Sequence, residues 1–87
     1  METIVFKPRW REELEAISKE GKLIFELTMG RLHVYFPDEK CWNNSVPAWA
    51  KDKWKDYFGG CQKWCAANRI PMTVVERALV YEEKNIG

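Results

Sequence analysis

No apolar run in the chain approaches the roughly 20 residues that a membrane-spanning helix needs. The opening stretch, METIVFKPRW, has neither the basic segment nor the apolar core of a secretory leader. A soluble, cytoplasmic domain with no membrane partner is therefore expected. An excess of one charge is missing as well. Lys and Arg total 14 against 13 Asp and Glu, a net charge of +1, so no whole-molecule field draws the chain onto nucleic acid or an acidic surface. There is one histidine, and the three cysteines are an odd number. That argues against a closed disulfide framework, and Cys41, Cys61 and Cys65 are expected to be free thiols of a reducing compartment. Phosphate-binding glycine loops, H-E-x-x-H patterns and recognisable nucleophile motifs are all lacking. The chain is accordingly read as non-catalytic, with no cofactor and no metal. Without repeats or a dividing linker, residues 1–87 form one domain, with 83–87 as a frayed tail.

What is present is 46% hydrophobic residues with 14% aromatics, enough to form one core in a chain of this length. Thr3 to Phe6 suits a short strand. Pro8 in a first helical turn, the acidic residues Glu12, Glu13 and Glu15, and Gly21 as a stop frame a helix from Pro8 to Glu20, with Trp10, Leu14 and Ile17 as its stripe. In KLIFELTMGRLHVYF, Leu23, Phe25 and Leu27 alternate with Lys22, Glu26 and Thr28, and Leu32, Val34 and Phe36 alternate with Arg31, His33 and Tyr35, which is a hairpin signature. A two-residue turn at Met29-Gly30 would set Leu27 against Leu32, Phe25 against Val34 and Leu23 against Phe36. Asp38 to Val46 has no period and reads as a loop carrying Trp42.

From Ala48 to about Asn68, the residues Ala50, Trp54, Tyr57, Phe58, Cys61, Trp64 and Cys65 fall on one helical face. Asn68 suits a left-handed exit from this helix. Gly59-Gly60 sits in its middle, at a cost of roughly 1 kcal/mol per glycine. The apolar stripe keeps its phase through the pair, so one continuous helix is expected, with Gly60 admitting a close neighbour and Gly59 on the exposed side. Met72 to Val75 and Ala78 to Tyr81 have strand composition on opposite parities, which calls for a bulge or turn near Glu76-Arg77. The order (β)αββαβ implies an α+β two-layer sandwich: an antiparallel sheet of three or four strands with two helices on one face.

Three functional readings follow. The first is a small binding module that takes a protein partner or self-associates. Its surfaces would be the open sheet face, through Ile24, Glu26, Arg31, His33 and Tyr35, and the segment containing Trp42 and Trp49. The second is a weak nucleic-acid binder using Lys51, Lys53, Lys55 and Lys63, although Asp52 and Asp56 dilute that face. The third is a small enzyme or metal site around His33, which the hairpin register would place across from Glu26.

Overall fold

The computed structural model describes residues 3–9 and 12–84. Its first two elements are strands, β1 (Val5–Arg9) and β2 (Glu13–Ser18). They pair antiparallel, with Phe6 opposite Ala16 and Pro8 opposite Leu14. The helix expected over Pro8 to Glu20 is thus corrected to a hairpin. Leu14 and Ala16 are buried while Glu13 and Glu15 keep partial exposure, a period of two that the spacing of Leu14 and Ile17 conceals; Trp10 lies outside the described residues. Pro8 fits because β1 is an edge strand with β2 as its sheet neighbour. Glu12 takes a left-handed conformation, φ 61°, in the turn. Its carbonyl accepts a hydrogen bond from the Leu27 amide at 3.1 Å.

The long strand β3 (Gly21–Thr28) pairs with β2 along its length and with β4 (His33–Pro37) at its far end. The observed register sets Leu27 against Val34, Thr28 against His33 and Glu26 against Tyr35. This is two residues from the expected pairing. The connection is the four residues Met29 to Leu32, and the Thr28 hydroxyl donates to the Arg31 carbonyl at 2.8 Å across it. A shift of two preserves which face each residue occupies, so Leu23, Phe25 and Leu27 remain in the core and Leu32 is released to the surface at 43% exposure. The other half of the same edge of β3 is taken by the last strand, β6 (Val80–Glu83), with Phe25 opposite Val80 and Lys22 opposite Glu83. Glu83 therefore belongs to the sheet rather than to a frayed tail.

Residues 38–71 form a helical crossover. The segment expected as a loop contains the helix α1 (Glu39–Ser45), capped by Asp38, whose carboxylate accepts from the Cys41 amide at 2.9 Å. A single 3-10 turn at Ala48–Ala50 leads to α2 (Trp54–Ala67). Arg69, rather than Asn68, takes the left-handed conformation after α2, φ 57°. The crossover lets β5 (Met72–Val75) lie parallel to β4, with Val34 opposite Met72 and Phe36 opposite Val74. The chain is of the α+β class. Its sheet is mixed and six-stranded, ordered β1-β2-β3-β4-β5 with β6 beside β3, and so exceeds the three or four antiparallel strands expected.

The core lies between the inner sheet face and the helices. Trp42 is fully buried and stacks on Phe25 and Phe36 with ring centroids 6.0 Å away in each case. Its indole N–H donates to the Ala50 carbonyl at 2.8 Å, which satisfies the one polar atom this ring carries inside. The glycine pair leaves α2 unbroken. A Cβ on Gly60 would lie 3.0 Å from the Phe6 ring, whereas one on Gly59 would meet nothing within 4 Å. The close neighbour expected at Gly60 is the side chain of β1.

Candidate functional site

The outer sheet face has no helix of the described residues upon it, yet one half is closed by its own side chains. Arg9 holds both carboxylate oxygens of Glu83 at 2.8 and 2.7 Å, and its Nε donates to Glu13 at 3.0 Å. The Tyr81 hydroxyl donates to the other oxygen of Glu13 at 2.6 Å. Lys22 pairs with Glu15 at 2.8 Å and reaches Glu83 at 3.6 Å. Ile24, with Glu15 and Tyr81 across from it on the neighbouring strands, has no exposed surface; long side chains of this kind cover apolar area well with their stems. The Tyr81 and Arg9 bonds hold Glu13 below the ordinary carboxylate range, and Arg9 with Lys22 does the same for Glu83. Glu13 in turn raises the Tyr81 phenol. The groups satisfy one another, so the cluster locks β1, β2, β3 and β6 together.

The half of the face built on β4 is different. His33 and Tyr35, two residues apart on one strand face, stack with ring centroids 4.4 Å apart and 17° between planes. The His33 Nε2 and the Thr73 hydroxyl of β5 are hydrogen-bonded at 2.7 Å. Both rings are half-buried, Arg31 and Leu32 are exposed in the loop beside them, and Thr73 is exposed at the sheet edge. Glu26 lies across from Tyr35 rather than His33, and its carboxylate accepts from the Leu79 amide at 3.3 Å. The carboxylate-histidine pairing that the expected register implied is therefore not formed.

The remaining candidates are scattered. Ile24 and Trp42 are buried and present nothing to a partner. Trp49 is half-buried, its N–H donating to Glu82 at 3.0 Å and its ring seated where a Cβ on Gly21 would come within 2.9 Å. Among the lysines, Lys53 pairs with Glu20 at 3.1 Å, and Lys51, Lys55 and Lys63 are exposed. Cys61 and Cys65 are buried on α2 with sulfurs 4.0 Å apart. Their mutual contact and burial push the Cys61 thiol up, so it is a poor nucleophile. Among the described residues no group of three or more His, Cys, Asp or Glu side chains is placed to hold a metal ion, and no helix is long and apolar enough to cross a membrane. A cleft of about 470 Å³ lies between α1 and the link from β5 to β6, lined by Asp38, Lys40, Cys41, Asn44, Glu76 and Arg77 among others. Its charges are mixed in sign.

No family model, curated protein or solved structure matches the chain. The site thus rests on its own geometry. Of the residues expected on the open face, Glu26, Arg31, His33 and Tyr35 gather around the end of β4. Thr73, which orients His33, and the Arg9, Glu13, Tyr81 and Glu83 cluster were not anticipated. The alternation of Glu13 and Glu15 with Leu14 and Ala16 was the signal that could have placed β2 beside β3.

Proposed function

We propose that the chain is a non-catalytic protein-binding module whose contact surface is the β4 half of the outer sheet face, formed by Glu26, Arg31, His33 and Tyr35. The observation that carries this reading is the His33-Tyr35 stack held by Thr73. Two rings already fixed in one orientation lose little side-chain freedom when a partner covers them. Tyrosine and arginine are also the side chains on which binding energy tends to concentrate. The neighbouring half of the face, by contrast, spends its charges internally and offers a partner mainly satisfied ion pairs.

Affinity capture with the purified chain as bait tests the reading. A protein retained in stoichiometric amount by the native sequence should be lost from Tyr35→Ala and His33→Ala baits and kept by Lys55→Ala and Lys63→Ala baits. Retention that ignores the first pair refutes the proposal. Material absorbing at 260 nm, released by salt and lost with the lysine substitutions, would favour nucleic-acid binding instead.

A further inference from the structure

A row of main-chain groups at the end of the sheet is unaccounted for by the surface just described. β5 closes the strand order beyond β4. The carbonyls of Pro71 and Val75 accept from the amides of Val34 and Asp38 at 2.9 and 3.0 Å. Because successive residues of a strand point their main-chain groups to opposite sides, the groups of Met72 and Val74 point away from β4. Natural sheets blunt such edges with charge, proline or a bulge. The edge strand β1 carries Lys7 and Pro8, and β6 carries Glu82 and Glu83. The sequence of β5, Met-Thr-Val-Val, has none of these devices. Val74 is 42% exposed. On the inner face it neighbours Phe36, over which the half-buried Trp54 and Phe58 pack at 6.2 and 5.7 Å.

We propose that this edge pairs with β5 of a second copy of the chain, antiparallel and about a two-fold axis through Thr73. The strand is complementary to itself in that register. Met72 of each copy lies opposite Val74 of the other, and both residues carry outward main-chain groups, so the two pairs exchange four N–H to C=O hydrogen bonds. The two-fold axis stands perpendicular to the sheet and keeps the faces aligned. Met72 of one copy then continues the apolar layer beside Val74, Phe36 and Phe58 of the other. On the outer face Thr73 meets Thr73, a favourable cross-strand pair, and the His33-Tyr35 surfaces of the two copies flank the axis. Pro71 and Val75 direct their main-chain groups toward β4, so the missing N–H of Pro71 is no obstacle. A four-residue edge buries less than the roughly 1,200 Å² of a standard stable interface. Association is therefore weak, in the micromolar to millimolar range.

Sedimentation velocity over that range tests the proposal independently of whether any other protein binds the outer face. The native chain should move from 10.3 kDa toward twice that mass with concentration. Thr73→Lys and Thr73→Glu, at an exposed position, set like charges against each other at the axis and should each weaken association by about fivefold or more. Mixing the two variants should restore it, since lysine then faces glutamate. Val74→Lys should weaken association without a rescuing partner. A native chain that stays monomeric to millimolar concentration overturns the proposal. So does dimerisation unchanged in both Thr73 variants, or a mixture of folded variants that fails to recover.

Discussion

The two adjacent glycines of α2 allow a matched test of how the sheet meets the helix. Alanine at either position gains up to about 1 kcal/mol of helix propensity. At Gly59 the new methyl group enters open space, so Gly59→Ala should stabilise the protein by close to that amount, which is about 4–8 °C in Tm for a domain of this size. At Gly60 the methyl would lie 3.0 Å from Cε1 and 3.6 Å from Cζ of Phe6, a ring that is itself nearly buried and packs against Trp64 at 6.5 Å. Either the ring or β1 must give, and overpacking of this kind costs about 1–3 kcal/mol. Gly60→Ala should therefore fall below Gly59→Ala by about 1 kcal/mol or more, with its net sign near zero or destabilising. Urea unfolding followed by tryptophan fluorescence measures both. The same pair made in a Phe6→Leu background should show a smaller gap, because a double-mutant cycle isolates the contact. Equal stabilisation by the two alanines would refute the packing of β1 on α2.

Other consequences are quickly checked. Trp42→Ala should cost about 3–5 kcal/mol, much of the stability of a small domain, and calorimetry should show a lost or far lower transition. Glu13 and Glu83 have carboxyls held below their ordinary value of 4.5. Their contribution is present in full above that value and is lost as pH falls through the lowered folded-state value, because the unfolded chain then binds protons first. Urea midpoints should therefore drop on acidification below about pH 4.5, and Arg9→Met should flatten that drop; an unchanged pH dependence in Arg9→Met would contradict the clustering. A thiol reagent should modify the half-exposed Cys41 first in the native protein, with Cys61 and Cys65, both buried, reacting only on unfolding. Rapid modification of all three would contradict their burial.

What the sequence disclosed follows from which interactions are local. The β3-β4 hairpin is legible because Leu23, Phe25 and Leu27 recur at every second position, Ile24 being the one apolar residue between them, yet its register differs by two residues because Thr28 and Arg31 close a four-residue loop that makes no use of Gly30. The continuity of α2 was legible from the phase of Trp54, Phe58, Cys61 and Cys65. The start of β1, Val5 and Phe6, was legible within the strand expected over Thr3 to Phe6, whereas β2 was not, since the three-residue spacing of Leu14 and Ile17 fits a helix and straddles the two faces of a strand, and Pro8 serves a helix start as readily as an edge strand. α1 was hidden because seven residues with a single buried anchor, Trp42, carry no periodicity; the cap at Asp38 was its only local sign. The parallel pairing of β5 is a long-range consequence of the crossover, and the meeting of Thr73 with His33 depends on it. The four residues of the candidate surface, Glu26, Arg31, His33 and Tyr35, therefore lie within one hairpin and could be read, while Thr73, which bonds to His33, comes from a segment distant in sequence.

The most direct test of the account is an amide NMR spectrum of the isotopically labelled chain recorded from micromolar to millimolar concentration, together with the same spectrum in the presence of any captured protein. Concentration-dependent shifts confined to Met72, Thr73, Val74 and Val75, and partner-dependent shifts centred on Arg31, His33 and Tyr35, are the predicted result. Shifts that instead follow Lys55 and Lys63 along α2, or that leave β4 and β5 unmoved, would contradict it.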